Sequence, residues 1–275
     1  MKKIFIILAV FFFGLNAIAQ DSLLVNKHGS VILPQKGDIA VGFDADPFLF
    51  YIGNMFNGNT NNNLNLGDNT LHFRYFLKDN QAIRLRLRIA STKNVNNFYI
   101  VDDAARAIDP LSRAQVEDRV TDKNRLYNIG VGYQIFRGSK RLKGFYGADI
   151  AFSYSQIITT YEYGNQMSEL NPSPTTHFGL LSTRNLEVNN GAYKTIGIGV
   201  FAGAEYYFMP KICLGAELGL SYGHGWGSQG NTKGEQMVLS QLIKFDRADA
   251  PGNSNSTLNT AFPYTYGSLY LMIHF

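Results

Sequence analysis

Thr265-Tyr266-Gly267-Ser268-Leu269-Tyr270-Leu271-Met272-Ile273-His274-Phe275 is the stretch whose reading decides the fold. Side chains alternate between the two faces of a strand, so Gly267, Leu269, Leu271, Ile273 and Phe275 share one face. Tyr266, Ser268, Tyr270, Met272 and His274 share the other, which is mixed where the first is greasy. An open sheet ending on such a strand would expose an unpaired edge. A closed sheet, in which the last strand pairs with the first, leaves no edge.

Seven further segments alternate in the same way. The first is about Gly37 to Ala45, with Ile39, Val41 and Phe43 on one face, and the second is Thr70 to Leu77. The third is Ala82 to Ala90, the fourth about Leu126 to Phe136, and the fifth about Phe145 to Ile157. The sixth runs from Ala192 to Phe208, and the seventh from Ile212 to about Leu220. Connections after the second, fourth and sixth are short (Lys78 to Gln81, Arg137 to Gly144, Met209 to Lys211). Those after the odd-numbered segments are long, roughly 20 to 40 residues, the alternation of short periplasmic turns and long extracellular loops expected of outer-membrane barrels. The expectation is an all-β chain: an eight-stranded antiparallel transmembrane β-barrel over residues 37–275. A soluble barrel or sandwich would turn the apolar face inward and leave Arg84, Arg86 and Arg88 outside.

The amino-terminal residues agree. Met1-Lys2-Lys3 is basic, Ile4 to Leu15 is apolar, and Ala17-Ile18-Ala19 fits a small-x-small cleavage site, so 1–19 reads as a secretory signal peptide. Residues 20–36 then form a periplasmic amino-terminal segment. No Cys follows the apolar run, and no later stretch reaches the ~18 apolar residues of a membrane helix. Charged residues make up only 17%, against 27 Gly, 16 Tyr and 20 Phe, a balance that suits tilted strands with aromatic belts. Removing Lys2 and Lys3 takes the formal charge from +4 to +2, too weak a bias for nucleic acid. The single Cys213 reads as a packed small residue.

The faces opposite the apolar ones line the interior. Ile83-Arg84-Leu85-Arg86-Leu87-Arg88-Ile89 puts three guanidiniums on one face, and Arg74 points the same way. Asp38, Asp44, Asp149, Glu205 and Glu217 fall at matching parity. An eight-stranded barrel has room inside only for side chains, and buried charges persist only when paired. The nine residues are therefore expected to form a salt-bridged lumen network, with a charged lining of a narrow ion path as the alternative. Glycines at the inward positions of the fourth to seventh strands, Gly130, Gly147, Gly203 and Gly215 among them, would leave volume for the arginines.

The loops promise less chemistry. Asp46 to Phe56 is aromatic and becomes Asn-rich through Asn65. Asp109-Pro110 resembles an N-cap with Pro at the first helical position, predicting a helix over Leu111 to Val120. Tyr161 to Asn190 and His224 to Phe262 read as polar surface structure or partly disordered loops. Ser268 and His274 share a face but stand roughly 20 Å apart. Asp102 and Asp103 are successive, and the five histidines lack metal-ligand spacing. No enzyme, metal or cofactor is expected.

The leader, the alternation and the terminal Phe275 together resemble small bacterial outer-membrane β-barrels, in architecture the OmpA transmembrane domain, OmpX and OmpW. Ala19-Gln20, and Asp46-Pro47-Phe48 with Tyr51-Ile52-Gly53-Asn54, resemble segments of Bacteroidetes barrels. The resemblance implies residence in the outer membrane of a Gram-negative bacterium and contact with its lipid. It also implies delivery by the barrel-assembly machinery through the carboxy-terminal strand, for which Phe275 is the signal. A peptidoglycan-binding domain of the OmpA kind is not in the sequence. The function expected is that of a structural or surface-interaction barrel whose loops meet protein or glycan; a porin-like narrow channel for small or apolar solutes is the alternative, and an enzyme with a rim site the second alternative.

Overall fold

The computed structural model describes residues 24–45, 47, 48, 51, 69–179, 182–259 and 268–275. The signal-peptide reading at 1–19, most of the aromatic loop after the first strand and the start of the last predicted strand lie outside them. The described strands are β1 (Ile39–Asp44), β2 (Leu71–Lys78), β3 (Gln81–Val101), β4 (Gln115–Arg137), β5 (Leu142–Glu162) and β6 (Thr183–Met209). They continue with β7 (Ile212–Gly227), β8 (Asn231–Val238), β9 (Gln241–Ala248), β10 (Ser254–Asn259) and β11 (Ser268–His274). A short helix α1 (Asp103–Ile108) joins β3 to β4. No described helix is long and apolar enough to cross a membrane.

Eight of these strands close on themselves. Neighbours β1 to β7 pair antiparallel in sequence order, β7 pairs β11, and β11 pairs β1. The seam joins Ala40 to His274 and Asp44 to Tyr270, and Phe275 exchanges both backbone hydrogen bonds with Ile39. The alternation sorts side chains as the sequence requires: Arg84 is 4% exposed, while Ile83 and Leu85 beside it are 43% and 38%. A soluble barrel would show the reverse order. Outside lie Val41, Tyr75, Ile129, Val131, Ile150, Ile198 and Leu220, all exposed.

Three expectations change. The strands run well past their apolar stretches; β3 and β4 stay in unbroken register from Gln81 opposite Ile135 to Val101 opposite Gln115. The sequence signal ends near Ile89 because Ser91 to Asn97 are polar but for Val95, yet the backbone ladder needs no greasy face to continue. The predicted helix at 111–120 is displaced. Asp102, not Asp109, is the N-cap, accepting from Ala105 N at 3.1 Å, and Gln115 to Val120 belong to β4. The polar segments around 183–191 and 231–259 are largely sheet: β8 and β9 form a hairpin on the far end of β6, and β10 pairs the far end of β7.

The segment before β1 crosses the short-turn end. Val25 bridges Val31, and Asn26 Oδ1 accepts from His28 N and Ser30 N to turn the chain. Lys211 N, in the β6–β7 turn, donates to Ile32 O, while Lys36 N donates to Asp79 in the β2–β3 turn. Those two turns sit half-way round an eight-stranded ring from each other, so the segment straps the mouth. Ile32, within the strap, is buried in the core cluster at that mouth.

Candidate functional site

The candidate site is the interior of the ring, taken from the short-turn end upward. Under the strap lies an apolar layer of Phe76, Phe136, Tyr207, Cys213 and Met272. Phe76 and Phe136 stack at 5.4 Å between centroids, and His274 lies 5.6 Å from both Phe76 and Tyr207. Burial at this depth leaves the Cys213 side chain a packing group.

The first charged layer joins opposite walls. Arg74 on β2 pairs with Glu205 on β6. Its Nη2 also donates to Tyr270 Oη at 2.9 Å, and Tyr270 in turn donates to Glu205 Oε1 at 2.6 Å. Tyr207 donates to the other oxygen, Oε2, at 2.8 Å. The guanidinium is boxed by the rings of Phe136, Phe145 and Tyr270 at 5.4, 5.9 and 5.2 Å. Both carboxylate oxygens are therefore satisfied in a dry, aromatic setting, which is the condition for keeping a charge pair there.

The second layer is the densest. Arg84 on β3 forms a two-pronged pair with Asp149 on β5, with Nε to Oδ1 at 2.8 Å. It also reaches Glu217 on β7, Nη1 to Oε2 at 2.5 Å and Nη2 to Oε1 at 3.1 Å. Its guanidinium lies 3.3 Å over the Phe201 ring. Arg86 joins from above, 2.6 Å from Asp149 and 3.9 Å from Glu217. β3 and β7 are diametrically placed in the ring, so this cluster spans the full bore.

Of the nine expected network residues, Arg74, Arg84, Arg86, Asp149, Glu205 and Glu217 thus meet in two layers. Asp44 is held apart, bonded to His72 Nε2 at 2.8 Å and accepting from Thr70 N at 3.0 Å. Asp38 stays at the short-turn rim, where it pairs with Lys211 and accepts from Gln35 N at 2.7 Å. Arg88 lies one step further along β3, opposite Asn128. Phe275 is 72% exposed on the outer surface. Sequence reasoning placed His72 and Tyr270 on the inward face but missed their bonds to Asp44 and Glu205, and it missed Tyr207. Inward parity was their signal, but an aromatic on the mixed face does not announce which carboxylate its hydroxyl meets.

Glycines make the packing possible. Gly147 stands directly opposite Phe201, Gly203 opposite Phe145, and Gly215 opposite Tyr270. In each case a Cβ on the glycine would run into the opposing ring. Each ring therefore lies flat across its neighbour's backbone and leaves the bore to the arginines.

A second, separate polar cluster lies beyond the barrel, at the long-loop end. Asp118 accepts from Gly164 N and His177 N, each at 2.8 Å, and from Thr176 Oγ1 at 2.6 Å. Asn165 bonds Asp103 N, Val101 O and Thr175 O, clamping the loop after β5 to α1. Arg184 pairs with Glu235 at 2.7 Å, donates to Asn165 O at 2.8 Å and stacks on Tyr163 at 4.2 Å. Burial pushes the Tyr163 hydroxyl up to about 12 despite that guanidinium, so it stays protonated and donates to Asn185 O at 2.7 Å. Asp103 accepts from Asn171 Nδ2 at 2.8 Å and Thr175 N at 2.7 Å. Partial burial works to raise its carboxyl, but these bonds and Arg106 outweigh it and hold Asp103 below the ordinary range. The two successive carboxylates thus serve as a cap and a loop anchor. Among the described residues, no His, Cys, Asp or Glu group is arranged to hold a metal ion.

The fold and its interior define an all-β protein: a closed antiparallel ring of eight strands, greasy outside and charged within. No protein-family model matches the sequence, and no curated protein matches it. Among solved structures it is similar to the outer membrane protein OprG from Pseudomonas aeruginosa, at 9% identity, covering 88% of this chain and 98% of that one, with a TM-score of 0.35.

Proposed function

We propose that the protein is an integral outer-membrane β-barrel of a Gram-negative bacterium, exported by a cleaved signal peptide, with a closed bore and a surface-interaction role at its long-loop end. The observation that carries the reading is the pairing of an exposed apolar exterior with a bore crossed by buried ion pairs. Water would favour the opposite arrangement; lipid favours this one. The outward positions of β4 from Tyr127 to Tyr133 are all apolar or aromatic and exposed, the pattern of a lipid-facing strand. Within the two layers three guanidiniums (Arg74, Arg84, Arg86) pair with three carboxylates (Asp149, Glu205, Glu217), while buried Lys143 lies below them against Phe136 and donates to Asp79 O; ion pairs that cross the bore support a plug rather than a selective lining. Below them the aromatic layer and the strap obstruct the short-turn mouth. The partners this reading implies are outer-membrane lipid around the belt, the barrel-assembly machinery at the last strand, and a surface protein or glycan at the extended sheet.

The test is single-channel conductance of the refolded protein in a planar bilayer, after a heat-dependent gel-mobility shift has verified the fold. The expected result is silence. Discrete, reproducible steps would overturn the closed bore.

A further inference from the structure

The β8–β9 hairpin ends the sheet. β8 pairs β6, β9 pairs β8, and among the described residues nothing pairs the outer side of β9. Its turn residues Leu239 and Ser240 have φ of 49° and 65°, the two-residue turn whose twist suits a hairpin. Such a turn makes Val238 and Gln241 a hydrogen-bonded pair, and bonding then alternates along the hairpin. Asp249 N donating to Gly230 O at 3.0 Å keeps that phase at the far end. Leu242, Lys244, Asp246 and Ala248 therefore turn their backbone N–H and C=O groups outward, unpaired among the described residues.

The side chains beside this edge form a chequerboard. Arg184, Glu235 and Lys244 lie in one row across β6, β8 and β9; Glu187, Lys233 and Asp246 lie in the next. The inner members are bonded, Arg184 to Glu235 at 2.7 Å and Lys233 to Glu187 at 2.9 Å. Each row alternates in sign and stops at β9, on a lysine in one and an aspartate in the other.

The geometry points to a second copy of this chain as the occupant, its β9 adding antiparallel to this one. Pairing the outward backbone groups allows only registers in which Leu242, Lys244, Asp246 and Ala248 face one another. Centring the pair on Phe245 sets Lys244 opposite the partner's Asp246 and Asp246 opposite the partner's Lys244. Both rows then continue their alternation without a break. Sliding by two residues either way puts lysine against lysine or aspartate against aspartate, which is destabilising. The same register sets position 245 opposite its own counterpart, with the Phe245 ring itself leaning back over Gly234 of β8, and seats exposed Leu242 beside the partner's Ala248. An edge shaped to repel its copies would carry like charges at the facing positions. This one is self-complementary.

A two-fold axis relating antiparallel edges stands perpendicular to the sheet. The sheet at β9 continues from β6, whose length runs from one end of the molecule to the other. The second barrel is therefore turned end over end, long-loop end against long-loop end. On the membrane reading proposed above, the two copies sit in facing membranes.

The experiment uses the full chain refolded in detergent, each variant checked for the heat-dependent mobility shift. Sedimentation velocity of the wild type shows a monomer–dimer equilibrium. K244D and D246K each self-associate roughly tenfold more weakly, because two attractive cross-strand pairs become repulsive. A one-to-one mixture of K244D and D246K dimerises again, since each supplies the charge the other needs. Oxidised F245C gives a covalent dimer; Cys213 is buried and does not compete. Phosphatidylcholine vesicles carrying the wild type cluster, as do K244D vesicles mixed with D246K vesicles, whereas either variant alone leaves them dispersed. A folded wild type that stays monomeric, single variants that associate as well as it does, or a mixture that fails to recover would overturn the proposal. Dimers in detergent with dispersed vesicles would overturn the end-to-end arrangement. Conductance is read separately, so failure here and failure of the closed bore are distinguishable.

Discussion

Arg84 and Arg184 face the same physical problem in two different places. Each is 4% exposed, each is paired with a carboxylate, and each lies over an aromatic ring. What differs is where the partners stand. Arg84 reaches from β3 to β5 and β7, across the bore, so its bonds fix distances between walls that no backbone ladder connects directly. Arg184 and Glu235 are direct cross-strand neighbours whose strands are already joined by backbone bonds. The first pair holds a closed shape; the second locks a local flap and the loop carrying Asn165. Burial alone does not tell how far the effect of a charge pair extends, whereas the topology of its partners does.

Breaking each pair sharpens the contrast. Arg84→Ala leaves Asp149 and Glu217 buried against a reduced complement of charge and is expected to destabilise the whole barrel by about 3–5 kcal/mol. The check is a clear fall in the temperature of the gel-mobility transition. Arg184→Ala has a comparable local effect, about 3 kcal/mol, confined to the flap. Amide exchange in β8, β9 and the 163–176 loop should quicken while the barrel's transition temperature stays put. Equal global melting of the two variants would erase the distinction drawn above.

The smallest expected effect is a pH dependence in the same outer region. Asp103 is depressed in the folded state, so its bonds to Asn171 and Thr175 contribute fully above the ordinary carboxyl value of 3.8. That contribution is lost as pH falls through the lower folded value. The expected observation is a Thr175 amide protection factor, corrected for the intrinsic pH dependence of exchange, that holds above pH 4 and falls only below it, with β3 to β7 inside the barrel unaffected.

The closed ring was legible because alternation over eight segments is a redundant signal, repeated in every strand. The charged layers were half legible. Parity put Arg84, Asp149 and Glu217 on one side of the wall, but only the register decides that Arg84 meets two carboxylates while Asp44 turns to His72 and Asp38 to Lys211. The outer sheet was not legible. Asn94, Asn96 and Asn97 read as loop residues, and their place in β3 is set by unbroken pairing with β4 rather than by any preference of their own. Likewise Asp109-Pro110 carries a good helix-start pattern that lost to Asp102, whose side chain caps an alanine-containing turn seven residues earlier.

The three glycines that lie beneath Phe201, Phe145 and Tyr270 bear on how this sequence can drift. A glycine that gains a methyl evicts the ring above it, an overpacking that costs about 1–3 kcal/mol. A ring that shrinks leaves a void over bare backbone. Neither member can change alone without loss, so each ring and its glycine act as one steric unit written on two neighbouring strands, and a change in either calls for a matching change in the other.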